Sequence, residues 1–356
     1  MTDQRTSSTP APPRPKSSIL SSLGRLAAGN RRALFPLLAL VLILLGNWLI
    51  SPSFFSIRVV EGRMLGSIID IFNRGAPTVL LAIGMTLVIA TKGIDLSVGA
   101  VIAICGAVAA VLISTTDLSP YVVMLLSVGA GILCGLWNGI LVAIFDIQPF
   151  IATLILMVVG RGIAQLITEG QIAVFNNPTL EFIGKGTLFG IPFAIILTAI
   201  VFVIVYLFIR RTALGLLIES VGANARASYY AGINARLITL MVYVISGICA
   251  AIAGLIITTD IKGADANNAG LWLELDAILA VVIGGTLLSG GRFYLALSVI
   301  GALIIQSIQT GIFVSGLPPT FNLIVQAVVI LAILFLQSEE FRRPFVRAWN
   351  RMRKTA

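Results

Sequence analysis

Ionisable side chains are scarce in this sequence, and the few inside its apolar runs are the first candidates for chemistry. Asp95 stands in GIDLSVG near Lys92, Arg161 in VVGRGIAQL, and Glu274 and Asp276 open LELDAILAVVIGG. A charge at a bilayer midplane costs about 2.5–3.5 kcal/mol or more, so each position needs a reason. For Asp95 one reading is a gate or path residue. The other is helix capping, with Asp95 or Ser97 as the cap and Lys92 as counter-charge. Glu274 and Asp276 suit a helix N-terminus, where acidic groups are stabilised, and equally suit acceptors for a sugar or amide. Arg161 must face protein, water or an acid, and Gly160 and Gly162 beside it allow close helix approach.

Neutral polar residues recur at helical spacing. Gln306, Gln309 and Thr310 share a face, as do Asn322 and Gln326. With Asn138, Gln148, Thr153 and Gln165 they could line a hydrated path for neutral polyols. The rival role is interhelical hydrogen bonding, worth about 0.6 kcal/mol each. Asn267 and Asn268 lie in the polar stretch DIKGADANNAGLWL, residues 260–273, and are candidates for substrate delivery or selectivity.

The elements that must position these residues are membrane helices. Of 356 residues 58% are hydrophobic and 11% charged, against about 25% charged in a soluble domain, and the mean hydropathy is +1.03. Ten candidate spans follow from the apolar runs: 34–50, 68–91, 97–114, 121–145, 149–168, 191–209, 237–259, 274–287, 294–313 and 320–337. The fold class is therefore all-α and polytopic, with residues 34–337 as one transmembrane domain. The eighth run is short and Gly-rich. Residues 91–108 and 284–303 each set Gly and Ser between apolar runs, the pattern of an interrupted transport helix or of simple Gly-rich turns.

Charge sets the expected topology. Residues 1–33 hold six basic and one acidic side chain, residues 338–356 six and two, and residues 210–236 four and one. The net charge is +9, so the remainder is net acidic. Basic residues gathered this way mark cytoplasmic segments rather than a nucleic-acid surface. Both termini are expected in the cytoplasm, the first within a Ser/Thr/Pro-rich disordered tail, and the first apolar run reads as an uncleaved span. Segment 210–236 falls on the same side. Leu214, Leu217, Val221 and Ala225 repeat there at helical spacing, so a helical element on the cytoplasmic face is expected.

Several chemistries have no residues to carry them. The sequence contains no His, and Cys105, Cys134 and Cys249 lie in apolar runs without CxxC spacing, so neither disulfide nor metal is expected. GKGT at 184–187 lacks the upstream spacing of a phosphate loop. No GxSxG elbow and no ladder of intramembrane acids and His occurs. The chain reads as a transport subunit, with no catalytic residue or cofactor of its own and its engine elsewhere. An ion-gradient-driven secondary sugar transporter would need Asp95, Glu274 or Asp276 as coupling ligands. An intramembrane enzyme acting on lipid-linked sugars would need clustered acids.

LLAIGMTLVIATKGIDLSVG, LCGLWNGILVA, QPFIATLILMVVGRGIAQL, the ALG, VGAN and AGIN runs within 213–234, and ELDAILAVVIGGTLLSGG together resemble permease subunits of bacterial ABC sugar importers of the ribose/xylose/arabinose type, over roughly residues 60–340. Within that family TDIKGADANNAGLWLELDAILAVVIGG is similar to galactofuranose-importing members. The resemblance implies about ten helices per permease in the bacterial inner membrane and a second permease, homologous or identical. It implies a separate ATP-binding subunit carrying ATP and Mg, and a periplasmic sugar-binding protein. The ATPase-coupling element would be 212–233, with Glu219, Gly222, Asn224, Ala231 and Gly232 at motif positions and the two glycines permitting the turns that bound it. The sugar implied is galactofuranose or a related monosaccharide such as ribose or xylose.

Overall fold

A computed structural model of the protein describes residues 31–60 and 62–337. Residues 1–30 and 338–356, which hold nearly all of the two expected cytoplasmic tails, lie outside the described residues. The chain is built of helices joined by short connections. In order these are α1 (Arg31–Ile50), α2 (Ser67–Ala90), α3 (Val98–Thr115), α4 (Pro120–Ala143), α5 (Pro149–Ile167), α6 (Pro178–Lys185), α7 (Phe193–Arg211), α8 (Leu214–Ala223), α9 (Ala225–Tyr230), α10 (Ala235–Ile261), α11 (Leu273–Ile283), α12 (Leu295–Val314) and α13 (Asn322–Gln337). Every predicted run contains a helix. Among the described residues eight are long and apolar enough to cross a membrane: α1 to α5, α7, α10 and α12. The expected eighth span is the 11-residue α11, about 16 Å long and too short for a hydrocarbon core of about 30 Å. Gly284 and Gly285 end it. The last run gives the 16-residue α13.

The core is made by α2, α3, α4, α10 and α12. In α2 83% of the apolar window is buried, against 11% in α1 and 17% in α7, which present their apolar sides outward. Outward apolar residues such as Leu49, Val158 and Ile204 are what a lipid-facing surface requires. Helices approach closely where one contributes glycine. Gly131 and Gly135 of α4 meet Gly247 and Tyr243 of α10, backbone against backbone, and Gly84 of α2 lies against Ser246. Such small-residue contacts replace the hydrophobic drive that lipid removes. Peripheral α1 is joined to α12 by Asn47, whose side-chain amide donates to the Ser307 carbonyl at 2.9 Å.

Short ribbons close one end of the bundle. There β1 (Arg58–Val60) pairs antiparallel with β2 (Arg63–Leu65), β3 (Ala173–Val174) with β6 (Gly263–Ala264), and β4 (Thr187–Leu188) with β5 (Ile191–Pro192). The Met64 amide donates to the Gly190 carbonyl at 2.8 Å, and Lys262 pairs with Glu181 at 2.6 Å. This is the hairpin end. The opposite end carries the turns 91–97 and 284–294 and segment 212–234.

The backbone contact between α4 and α10 sets a test. A side chain at Gly247 would collide with the Gly131 carbonyl, whereas Gly129 has open space beside it. Gly247→Leu should lower the thermal unfolding midpoint in detergent, by the equivalent of at least about 1–3 kcal/mol. Gly129→Leu should leave the midpoint within error; equal midpoints for both would remove this contact from the core.

Candidate functional site

Segment 210–236 folds as two helices, not one. Helix α7 carries Arg210 and Arg211 in its last turn, which complements the helix dipole. The Thr212 hydroxyl then accepts from the Leu214 amide at 3.2 Å where α8 starts. Leu214, Ile218 and Val221 of α8 are buried. Asn224 takes an extended conformation and breaks the helix, and its side chain caps α9 by accepting from the Ala227 amide at 3.0 Å. Asn234 repeats the device for α10, at 3.1 Å from the Leu237 amide. Ala225, expected on the Leu214 face, is exposed in the next helix. Ala231 and Gly232 are exposed, and Gly232 turns the chain with a φ of +83°.

Gly222 does not bound the element by a turn, as the sequence suggested. It lies inside α8, where an added Cβ would overlap the Ala90 carbonyl and sit 2.6 Å from the Gly291 amide. Helix α8 is thus pressed onto the end of α2 and onto the turn 284–294. The same junction holds two further bonds: the Gly291 amide donates to Ala90 O at 2.9 Å, and Lys92 Nζ donates to Ala223 O at 3.2 Å. Glu219 is half-buried and faces a cavity of about 440 Å³ with Arg210, Thr212 and Phe293. The outward residues of α9 include Tyr229 and Tyr230, 71% and 86% exposed, with rings edge to face at 5.9 Å. Sequence reasoning passed over this pair, although two adjacent aromatics in a wet segment were a readable signal.

Asp95 is buried and acts as a staple. Its Oδ1 accepts from the Ser97 amide at 3.1 Å and the Ser97 hydroxyl at 2.6 Å, and its Oδ2 accepts from the Ser246 hydroxyl at 2.8 Å. Asn138 Nδ2 donates to Ser97 Oγ at 2.8 Å. One carboxylate thereby joins the turn 91–97 to α4 and α10. Of the two expected caps, Ser97 makes no side-chain cap bond, whereas Asp95 accepts a backbone amide ahead of α3, and Lys92 reaches Ala223 instead of serving as its counter-charge. The Thr153 hydroxyl lies 3.0 Å from both the Ile94 and Pro149 carbonyls. Gln148 is exposed at the start of α5, apart from the other polar residues.

Arg161 is satisfied by backbone. Its Nη1 donates to Ala266 O at 3.1 Å and to Ala269 O at 2.6 Å, fixing the loop 262–272. Gly160 packs against Ala100 and Ile104, whereas Gly162 has open space and supports no close approach. Gln165 Nε2 donates to Asn267 Oδ1 at 2.6 Å. Asp265 accepts from the amides of Asn267 and Asn268 and, at 2.7 Å, from Asn268 Nδ2. That last bond, with the two amides and Arg161, holds the Asp265 carboxyl below its ordinary value. Asn267 and Asn268 therefore shape the loop. Glu274 is buried in the first turn of α11, its Oε2 without a hydrogen-bond partner and in reach of Gly99. Asp276 Oδ1 accepts from Gln326 at 2.6 Å and its Oδ2 from Gln309 at 3.3 Å. The two helical faces read from spacing thus converge on one carboxylate. Gln306 is buried and, with Gln309, lines two adjoining cavities at the hairpin end.

Most of the predicted polar set divides into a staple around Asp95, a loop clamp around Arg161 and a three-helix tie at Asp276, with Gln148, Glu274 and Gln306 outside these groups. The described residues contain no group of three or more His, Cys, Asp or Glu placed to hold a metal. The three cysteines are free thiols.

Comparison with known proteins gives a consistent picture. Residues 67–334 match the family described as branched-chain amino acid transport system / permease component. The chain is 59% identical over 305 residues to the galactofuranose transporter permease protein of Escherichia coli K12, covering 86% of this chain and 89% of that one. It is 42% identical to a fructose import permease of Bifidobacterium longum, covering 78% and 79%. It is 34% identical to the ribose import permease of Escherichia coli K12, covering 87% and 94%. No solved structure matches the chain.

The loop clamp makes a pH prediction. A carboxyl held below its ordinary value stabilises the fold fully above the unfolded value, 3.8, and that contribution is lost as pH falls through the folded value. The gap in thermal midpoint between the wild type and Asp265→Ala should therefore narrow as pH is lowered from 6 to below 3.8. A gap independent of pH would show that the carboxylate's charge plays no part.

Proposed function

The chain belongs to the branched-chain amino acid transport system / permease component family, and from that premise we propose that it is the membrane permease of an ATP-driven ABC importer carrying galactofuranose or a related monosaccharide inward. The observation that carries this reading is the seating of α8 and α9. A capped, partly exposed helix pair rests through Gly222 on the ends of two core elements, so a push on it moves α2 and the turn before α12 together. The 59% identity to a galactofuranose transporter permease along most of both chains supports the sugar. Fructose or ribose import, named for the more distant relatives, is the alternative cargo.

In this reading ATP and Mg bind a separate subunit that docks on residues 212–233, with Tyr229, Tyr230, Ala231 and Gly232 outward. A second permease completes the membrane passage, and a periplasmic binding protein delivers sugar to the hairpin end. Topology follows from the charge census: residues 1–33, 210–236 and 338–356 face the cytoplasm of a bacterial inner membrane. Ten membrane-embedded helices result when the short α11 and α13 join the eight long ones. Against a gradient-driven mechanism, Asp95 and Asp276 already accept hydrogen bonds from side chains, which leaves Glu274 alone of the three candidate coupling ligands with an unpartnered oxygen.

Two measurements test the reading. A tag on this chain should co-purify an ATP-binding subunit and a permease partner. In proteoliposomes holding that complex and its binding protein, D-galactose uptake should require ATP. Uptake that persists without ATP and collapses with an ion gradient would refute it. Gly222→Val should cut binding-protein-stimulated ATP hydrolysis at least about tenfold while the chain remains inserted, and normal stimulation would remove the junction from coupling.

A further inference from the structure

At the hairpin end, Gln306 and Gln309 of the predicted set join three polar residues that it did not include, Asn73, Arg74 and Asp260. Two turns into α2, Asn73 and Arg74 face Asp260 at the end of α10 and Gln306 and Gln309 of α12 across a cavity of about 290 Å³, with Leu273 of α11 as its apolar wall. That volume is at the lower end of small-molecule sites, which begin at about 300 Å³. A second cavity of about 380 Å³ shares Arg74, Gln306 and Gln309 and runs on past Phe313. The Arg74 guanidinium stands 5.9 Å from the centroid of the Phe313 ring.

Three features distinguish this cleft from the wet end of a helix bundle. Arg74 and Asp260 line one concavity, yet the described residues show no ion pair between them, the ion pair found there being Lys262 with Glu181. Asn73 Oδ1 is buried without a hydrogen-bond partner, a state that native structures rarely keep for a side-chain acceptor. Pro77, also in the wall, has no amide hydrogen, so the Asn73 main-chain carbonyl loses its normal donor one turn on. The cleft thus sets one unpartnered acceptor beside a cation and an anion that do not pair with each other.

We propose that this cleft receives a neutral monosaccharide at the hairpin end. A sugar's hydroxyls each donate and accept, so a matching site needs both functions with little net charge. Asp260 and the Asn73 oxygens accept, Arg74, Gln306 and Gln309 donate, and Leu273 covers the apolar C–H face. With one cation and one anion in its lining, the cleft has no net charge to favour an ionic ligand over a neutral one. The adjoining cavity gives the bound sugar a way out along α12. The site deepens the importer reading and rests on it.

The test uses the assembled importer with its binding protein in proteoliposomes and measures ATP-driven uptake of D-galactose and D-ribose. Asn73→Leu and Asp260→Asn should each lower D-galactose uptake at least about tenfold and change the ratio between the two sugars, while the partner subunits still co-purify. Asp260→Glu, which keeps the carboxylate, should retain uptake where Asp260→Asn loses it, and this separates ligand contact from folding. Wild-type uptake and an unchanged sugar ratio in both Asn73→Leu and Asp260→Asn would overturn the cleft. A wild-type complex that takes up neither sugar would overturn the importer function, and the cleft with it.

Discussion

In hydrocarbon, a peptide group without a hydrogen bond costs several kcal/mol, so backbone can leave helical geometry only where protein supplies partners. Three of this chain's departures beside the core helices, at 91–97, 262–272 and 284–294, are each tied by a polar side chain. Asp95 takes the Ser97 amide and Thr153 the Ile94 carbonyl. Arg161 takes two carbonyls of the second segment. Thr286 accepts the Tyr294 amide in the third, at 3.1 Å. The residues that looked like chemistry in the sequence largely tie irregular backbone against the helix core.

Close packing of small residues is the second condition. Gly131, Gly135 and Gly247 bring α4 and α10 together, and Gly222 brings α8 onto α2. Interfaces of this kind have few alternative arrangements, since any side chain at the contact is excluded. They move as units. A displacement of α8 therefore has little slack to absorb it before it reaches Ala90 and Gly291.

Much of this was legible in advance. Hydropathy and length located every helix of membrane-spanning length, because the bilayer fixes both, while the eight-residue α6 between two runs went unread. Charge marked the wet segment, and the three-four spacing of Gln306, Gln309 and Thr310, and of Asn322 and Gln326, marked two faces from which Gln309 and Gln326 reach Asp276. What was not legible was anything decided by distant neighbours. Nothing local says that Lys92 reaches Ala223 rather than Asp95, or that Gly222 is a contact rather than a turn. The 11-residue α11 was also blurred, because an apolar run continues past the point where Gly284 ends the helix. Asn73 and Asp260 were missed because each lies at an ordinary polar boundary of its own run, and the cavity between them is made by helices nearly two hundred positions apart.

Helix α1 shows how sparing the polar ties can be. Lipid-facing over most of its length, it would be free to spin or slide against the bundle on apolar contacts alone. Asn47, bonded to the Ser307 carbonyl and packed against Gly311, removes both freedoms at once: it indexes the helix in azimuth and in height. One amide thus acts as a key in a slot.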